Sequence, residues 1–140
     1  MATARVVMTQ DAQCVGENGT IIDAAKKMAE LDVGALPICG EDDRLKGMLT
    51  DRDIVTKVLA QGKDPSSTNA GELGEGKPVT IGADDSVEEA IERMKQHAVR
   101  RLPVIDDDHK LIGIVSQGDL AKNVDEEKVG DLVEVISAAP

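Results

Sequence analysis

The sequence predicts an α/β (α+β) fold: two copies of a β-α-β-β-α unit, followed by an amphipathic helix at the carboxyl terminus. A seven-residue phrase occurs twice, as GMLTDRD at residues 47–53 and as GIVSQGD at residues 113–119, an offset of 66 positions. In each half, a stretch with apolar residues at helical spacing is followed by two short apolar runs that flank a polar turn. An internal repeat indicates one supersecondary unit used more than once.

The repeat extends well beyond this phrase, at the same offset and without a gap. It aligns Leu36-Pro37 with Leu102-Pro103. The further matches are Thr20 with Ser86, Ala24 with Ala90, Met28 with Met94, Val33 with Val99 and Leu45 with Leu111. Because proline, glycine and aspartate all match in one frame, we interpret the two halves as an internal duplication.

The composition is that of a globular protein without aromatic side chains. The 140 residues are 41% hydrophobic and 31% charged, and they include no Phe, Trp or Tyr. Single-stranded nucleic acids are usually bound on aromatic side chains, and a net charge of −11 disfavours nucleic acids in general. The sequence has no apolar run of membrane-spanning length, and its start lacks the apolar core of a signal peptide. We expect a soluble cytoplasmic protein with neither a nucleic-acid nor a membrane partner.

Each half begins its main helix with a hydroxyl residue. Thr20 with Asp23, and Ser86 with Glu89, have the spacing of a helix cap followed by an acid in the first turn. The predicted elements of the first half are a lead-in helix over 3–8, a strand over 13–15, a helix from Thr20 to about 32–34, strands over 35–39 and 45–49, and a helix over 51–59. Those of the second half are a strand over 79–81, a helix from Ser86, strands over 102–105 and 111–115, and a helix that begins at Asp119.

These elements divide the chain into two units and a tail. The predicted boundaries are 1–62 for the first unit, 63–69 for a linker, 70–125 for the second unit and 126–140 for a helical tail. The linker is rich in residues that break helices and strands. In the tail, helical spacing relates Val129, Leu132, Val133 and Ile136, which predicts an amphipathic helix that packs on the two units or on a partner.

The repeated phrase has a local structural explanation. Thr50 with Asp53, and Ser116 with Asp119, stand between a predicted strand and a predicted helix. A hydroxyl cap with an acid three residues later accounts for both pairs. On local physics alone, helix capping is the favoured explanation.

The order of the motifs along the whole chain resembles a pair of CBS domains (a Bateman module). The resemblance rests on the two β-α-β-β-α units, the Leu-Pro strand in each hairpin and the Gly-x-x-Thr/Ser-x-x-Asp phrase after it, and it covers residues 3–124. Residues 34–40 and 45–55, with Asp64-Pro65, are also similar to small stand-alone two-CBS proteins of the hypoxic-response type. The resemblance implies that the two units pack through their sheets about a pseudo-two-fold axis.

The resemblance further implies an adenosyl ligand (AMP, ADP, ATP or S-adenosylmethionine) in the clefts between the units. In this family the aspartate of the phrase accepts hydrogen bonds from ribose, the hydroxyl residue lies near ribose or phosphate, and basic residues before the Leu-Pro strand of the facing unit contact phosphate. Carried over to this chain, Thr50 and Asp53 would face Arg100 and Arg101. Two guanidinium groups are well suited to phosphate oxygens.

The second cleft departs from that pattern. Ser116 and Asp119 would face Gly34 and Ala35, where the basic pair is missing. Arg52, in the first turn after the Thr50 cap, is the residue placed to compensate. We therefore expect one good nucleotide site at most, in the first cleft. The alternative for the two arginines is a solvated or interfacial salt-bridge pair.

The cysteines and histidines carry weaker signals. Cys14 and Cys39 fall in the two strands of one β-α-β step, which leaves two alternatives open: a disulfide, or two buried thiols in a reducing cytosol. His97 and His109 have no companions at metal-ligand spacing. His109 lies in a hairpin turn beside residues 106–108, all aspartates, where a solvated turn is favoured over a metal held across an interface, so we expect no metal site. The residues suggest neither a catalytic arrangement nor a P-loop.

We therefore predict a non-enzymatic regulatory or sensor protein that forms a homodimer, requires no cofactor and acts on an unidentified effector protein. The adenosyl ligand would shift the population between two packings of the units. The rival hypothesis is a stress-response structural or interaction protein with vestigial clefts that binds no nucleotide.

Overall fold

A computed structural model describes residues 2–10, 12–74 and 78–122. In chain order, the elements are helix α1 (Ala4–Val7), strands β1 (Thr9–Gln10) and β2 (Val15–Gly16), helix α2 (Ile21–Leu31), strands β3 (Ala35–Cys39) and β4 (Leu45–Thr50), helix α3 (Asp51–Asp53) continued by a π-helix (Ile54–Leu59), a 3₁₀ helix (Ala70–Leu73), strand β5 (Ile81–Gly82), helix α4 (Val87–His97), strands β6 (Arg101–Ile105) and β7 (Leu111–Ser116), and helix α5 (Gln117–Ala121). This order confirms the predicted α/β class and the two β-α-β-β-α units. The predicted helix at 126–140 lies outside the described residues.

The chain forms two compact units. The continuous unit is Gln13–Pro78, and the split unit combines Met1–Ala12 with Val79–Pro140. In the continuous unit the strand order is β2-β3-β4, with β2 parallel and β4 antiparallel to β3. The split unit repeats this arrangement with β5, β6 and β7, and adds β1 antiparallel to β7. Both predicted hairpins are therefore confirmed.

Each unit has its own aliphatic core. Helical spacing predicts that Ile21, Ala24, Ala25 and Met28 form the buried face of α2. Ile21, Ala24 and Met28 are buried, but Ala25 is exposed. The matching face of α4 consists of Val87, Ala90, Ile91 and Met94. Within the described ranges, no helix combines the length and the apolar character that are needed to cross a membrane.

The segment that leads into each half of the repeat packs in the unit formed by the other half. These segments contain α1 and the 3₁₀ helix. In the split unit, the backbone N–H of Ala4 donates to the carbonyl oxygen of Asp85 at 2.9 Å. In the continuous unit, the N–H of Ala70 donates to the carbonyl oxygen of Gly19 at 2.7 Å. These bonds match at the repeat offset, and both alanines are fully buried. The predicted boundaries at 1–62, 63–69 and 70–125 follow the sequence repeat, whereas packing places each lead-in against the other half.

Three local predictions need correction. Strands β2 and β5 begin at Val15 and Ile81, because their parallel pairing begins only opposite Ile38 and Val104. Helix α5 begins at Gln117 rather than at Asp119, because the preceding serine is its cap.

The predicted capping box of α4 forms only in part. The hydroxyl oxygen of Ser86 accepts a hydrogen bond from the N–H of Glu89 at 3.1 Å. The carboxylate of Glu89 is instead bound by Nε of Arg93, one turn later, at 3.3 Å. The side chain of Glu89 therefore supports the helix surface rather than its cap.

The helix predicted over residues 51–59 is confirmed, but it changes type after Asp53. The hydroxyl of Thr56 donates to the carbonyl oxygen of Arg52 at 2.9 Å. The N–H of Ala60 bonds to the carbonyl oxygen of Val55 at 2.8 Å, five residues back, as in a π-helix. The threonine hydroxyl therefore satisfies the carbonyl oxygen of Arg52 where the helix widens.

Candidate ligand-binding edges and a cysteine pair

Thr50 and Asp53 lie where β4 ends and α3 begins, and they form a complete capping box. The N–H of Asp53 donates to Oγ1 of Thr50 at 3.1 Å, and the N–H of Thr50 donates to Oδ2 of Asp53 at 3.1 Å. The other carboxylate oxygen of Asp53 faces Nζ of Lys57 at 3.4 Å. Both oxygens are thus engaged, and the side chain of Asp53 retains 23% exposure. A ligand at this carboxylate would have to share it with Lys57.

Ser116 and Asp119 reproduce the same cap where β7 meets α5. The N–H of Asp119 donates to Oγ of Ser116 at 3.1 Å, and the N–H of Ser116 donates to Oδ2 of Asp119 at 2.9 Å. The hydroxyl and the carboxylate therefore have a structural role in both units.

Arg100 and Arg101 lie beside Ser116 within the split unit. Arg101 is the register partner of Ser116 across β6 and β7, and the carbonyl oxygen of Arg100 accepts from the N–H of Gln117 at 2.9 Å. Arg100 is exposed and Arg101 is half-buried. Among the described residues, neither guanidinium has a carboxylate partner within salt-bridge distance. Two adjacent cations without acidic partners can bind an anion.

The matching edge of the continuous unit has the same backbone and a different charge. The N–H of Asp51 donates to the carbonyl oxygen of Gly34 at 2.9 Å, the counterpart of the Gln117 bond. A Cβ at Gly34 would lie 3.1 Å from Oδ2 of Asp51. Arg52 is exposed beside it, and its N–H donates to Oδ1 of Asp51 at 2.8 Å. This edge therefore presents an acid where the other presents two arginines.

The structure brings some of the predicted residues together. Thr50, Arg52 and Asp53 share one edge of the continuous unit, and the Arg100–Arg101 pair shares an edge with Ser116 and Asp119 in the split unit. We predicted that the Thr50 cap faces the arginine pair. Because these residues belong to different units, this stays a prediction.

Two residues of the first edge were not predicted from the sequence. Lys57 follows Asp53 by four positions, and this helical ion-pair spacing is a signal that could have identified it. Asp51 could have been found by comparing it with Gln117, its counterpart in the repeat.

Cys14 and Cys39 lie side by side in the continuous unit. Both are free thiols, Cys14 half-buried just before β2 and Cys39 buried at the end of β3. The hydrogen bond between the thiols lowers the pKa of Cys14 to about 7, against the effect of burial and with help from the Lys27 ammonium. The same bond, together with burial, raises the pKa of Cys39. Lys27 is held there because its Nζ donates to the carbonyl oxygen of Cys14 at 3.0 Å.

The histidines are not part of a metal cluster in the described part of the chain, where no group of three or more metal-ligating side chains occurs. His109 does line a cavity of about 330 Å³ at the carboxyl ends of β5 and β6, together with Arg5 and several acids of the neighbouring turns. This cavity lies at the opposite end of β6 from Arg101.

Comparison with known proteins identifies the family. The CBS-domain profile matches residues 4–60 and 70–126, which is most of the chain and both halves of the repeat. The chain belongs to the CBS-domain family. It is 48% identical to hypoxic response protein 1 of Mycobacterium tuberculosis over 136 residues, which are 97% of this chain and 94% of that protein. These findings confirm the resemblance that the repeated motifs predicted.

Solved structures agree with this assignment. A crystal structure of hypoxic response protein I with two coordinated zinc ions matches with a TM-score of 0.83 and 50% identity, covering 89% of this chain and all of that one. CBSX2 in complex with AMP matches with a TM-score of 0.75 and 25% identity, covering 87% of this chain and 95% of that one. The CBS pair of protein MJ0100, in complex with 5′-methylthioadenosine and S-adenosyl-L-methionine, matches with a TM-score of 0.76 and 26% identity, covering 87% and 94%.

Proposed function

We propose that the chain is a non-enzymatic regulatory module that binds an adenosyl ligand (AMP, ADP, ATP or S-adenosylmethionine) in a cleft between its two CBS units. The observation that carries the proposal is the pair Arg100 and Arg101, which lacks acidic partners among the described residues of a chain with net charge −11. In an acidic protein, two neighbouring arginines without acidic partners in the described part of the chain form a local site for an anion.

The proposed roles follow from the chemistry of each group. The guanidinium groups of Arg100 and Arg101 bind phosphate oxygens, and Asp53 accepts from the ribose hydroxyls beside Thr50. Ser116 and Asp119 hold the equivalent place in the second cleft, with Arg52 as its cation. The complexes of CBSX2 with AMP and of MJ0100 with S-adenosyl-L-methionine support an adenosyl ligand for this fold.

The ligand would act by shifting populations. Binding one arrangement of the units better than another changes the surface that the protein offers to a partner. We propose a homodimer as the acting species and an effector protein as the receiver of the signal.

The second candidate is a stress-response structural or interaction protein whose clefts are vestigial. Asp53 favours this candidate, because its two oxygens are already occupied by the Thr50 N–H and by Lys57. A ribose must compete with this partly exposed ion pair, whereas a fully exposed pair would contribute only about 0–1 kcal/mol.

Calorimetric titration of the reduced chain with AMP, ADP, ATP and S-adenosylmethionine tests the proposal. Asp53→Ala should abolish the saturable heat. Asp23→Ala is the matched control, because Asp23 caps α2 with Thr20 through equivalent contacts of 3.1 and 3.2 Å. The control should bind normally while losing similar stability. A folded wild-type chain that gives no heat with any of the four ligands would overturn the proposal in favour of the second candidate.

A further inference from the structure

The continuous unit contains a dithiol with two unlike members. The parallel register of β2 and β3 sets Gly16 opposite Cys39, and Cys14 lies two residues before Gly16, just ahead of β2. Each thiol is the largest influence on the pKa of the other, which requires the two side chains to be close together. Cys14 is half-buried, whereas Cys39 is only 3% exposed. A reagent in solution therefore reaches Cys14 first.

The neighbouring charges also favour ionisation of Cys14 over ionisation of Cys39. Lys27 reaches Cys14 from α2 and favours its thiolate, while Asp43 in the β3–β4 turn opposes ionisation of both sulfurs. Asp42, in the same turn, opposes ionisation of Cys39 alone. The thiol of Cys39 can donate its proton toward a Cys14 thiolate, which holds the pair in a single-proton state.

We propose that Cys14 and Cys39 form a thiol–disulfide exchange site for small-molecule disulfides, with Cys14 as the attacking thiol and Cys39 as the resolving thiol. This site is independent of any adenosyl ligand. It differs from a structural disulfide, because it requires Cys14 to be open to a reagent and Cys39 to remain protected until the second step.

The reaction balances in two steps. The Cys14 thiolate attacks one sulfur of the disulfide R–S–S–R, a Cys14–S–S–R bond forms, and the departing RS⁻ takes a proton from water. The Cys39 sulfur then attacks the Cys14 sulfur, the Cys14–Cys39 bond forms, and the second RS⁻ leaves with the Cys39 proton. The dithiol loses two electrons, and the small disulfide gains them as two thiols.

The pKa of about 7 for Cys14 sets the expected rate. At pH 6.5, a larger thiolate fraction outweighs a lower intrinsic nucleophilicity, so attack should be about fivefold faster than by an ordinary thiol with a pKa near 8.5. The rate should reach half its plateau near pH 7.

The first experiment treats the reduced full chain with dithiobis(nitrobenzoate), an aromatic disulfide, and follows both thiol release and protein mass. We expect the wild type to release two thiols per chain and to end two hydrogens lighter. Cys39→Ala should release one thiol and keep the adduct on its remaining cysteine. Cys14→Ala should react at least about tenfold more slowly, because only a buried thiol is left.

Two results would overturn the proposal: a Cys14→Ala chain that reacts as fast as the wild type, or a wild type that stops at the mixed disulfide. Cys39→Ser provides a second resolving-thiol variant should the alanine variant prove unfolded by circular dichroism. Oxidised glutathione, used in the same assay, shows whether a physiological disulfide is accepted.

Lys27→Met tests the positioning role of the ammonium group. It should slow the first step a few-fold at pH 6.5 and move the midpoint of the rate profile to higher pH. Lys26→Met is the matched control, because Lys26 is the exposed neighbour on the same helix. Equal effects of the two substitutions would contradict a specific role for Lys27.

Discussion

The edge of the continuous unit and the edge of the split unit have the same backbone but carry different charged side chains. Both pair the first residue of a Leu-Pro strand with a hydroxyl cap, Ala35 with Thr50 and Arg101 with Ser116. Both caps are closed by an aspartate three residues later. The residue before each strand differs, however: Gly34 lies against Asp51, and the exposed Arg100 takes its place in the other unit.

This difference distinguishes the contacts that the fold requires from the side chains that a ligand would bind. The capping contacts occur in both units, so they are explained by helix initiation. The arginine pair occurs in one unit only, and among the described residues neither guanidinium has an acidic partner. A test of function should therefore change the arginines, and a test of the fold should change residues that the two units share.

The largest effect should come from the paired core leucines. Leu36 and Leu102 are 2% and 0% exposed at matching positions of β3 and β6. Truncating either to alanine should cost about 2–5 kcal/mol of unfolding free energy, because each leaves a cavity in its own core. Chemical denaturation measures this loss, with the exposed Val55→Ala as control. If only one of the two leucine substitutions lowered the unfolding free energy substantially, the two positions would not be structurally equivalent.

The second-largest effect should come from glycine substitutions, whose cost in stability should differ between the two units. A Cβ at Gly113 would lie 2.8 Å from the carbonyl oxygen of Thr9, whereas one at Gly47 would lie 3.0 Å from the Cα of Gly74. Both changes should destabilise by about 1–3 kcal/mol, and Gly113→Ala should cost more because it displaces β1 from β7. Thermal unfolding and hydrogen exchange at Thr9 and Gln10 check this prediction. Unchanged protection of β1 would contradict it.

Removing the caps should have equal and smaller effects. Asp53→Ala and Asp119→Ala should each cost about 1 kcal/mol, since each removes one capping contact of the same geometry. Urea denaturation of the two variants supplies the comparison. A cost at Asp53 several times that at Asp119 would contradict this equality.

A separate expected effect is a thiol-linked pH dependence confined to the continuous unit. The positions that match Cys14 and Cys39 are Thr80 and Ile105, which do not titrate. The folded pKa of Cys14, about 7, is below that of an ordinary thiol, so the thiolate stabilises the reduced fold. This contribution is complete above pH 9 and is lost as the pH falls through 7. Above pH 9 the raised pKa of Cys39 acts in the opposite direction.

Thermal unfolding of the reduced wild type and of Cys14→Ala measures that contribution. The difference in Tm should widen from about pH 6 to about pH 8.5. A constant difference over this range would show that Cys14 has the same pKa in the folded and unfolded chains.

The repeat and the caps made much of the fold predictable. Leu36-Pro37 and its counterpart identified the hairpins, and Thr20 and Ser86 located the helix starts, because these signals are local. The exchange of Ala4 and Ala70 between units was not predictable, since both segments have similar sequences and only tertiary packing decides which half each one joins.

The candidate site was predictable only in part. The matching phrases pointed to Thr50 and Asp53, and their caps formed as local physics required. The competition of Lys57 for Asp53, and the contact of Lys27 with Cys14, depend on side-chain positions that the repeat does not encode. The repeat could show that the arginine pair is unique, but only the structure showed that it lacks acidic partners among the described residues.

The measurement that tests the central claim most directly is calorimetric titration with AMP and with adenosine, which share a base and ribose and differ by the phosphate. The wild type should prefer AMP by about tenfold or more, and the double variant Arg100→Gln/Arg101→Gln should lose that preference while binding adenosine unchanged. The double variant Arg44→Gln/Lys110→Gln, which removes two charges from the hairpin turns, should keep the preference. Equal binding of AMP and adenosine by the wild type, or binding of neither, would contradict the account.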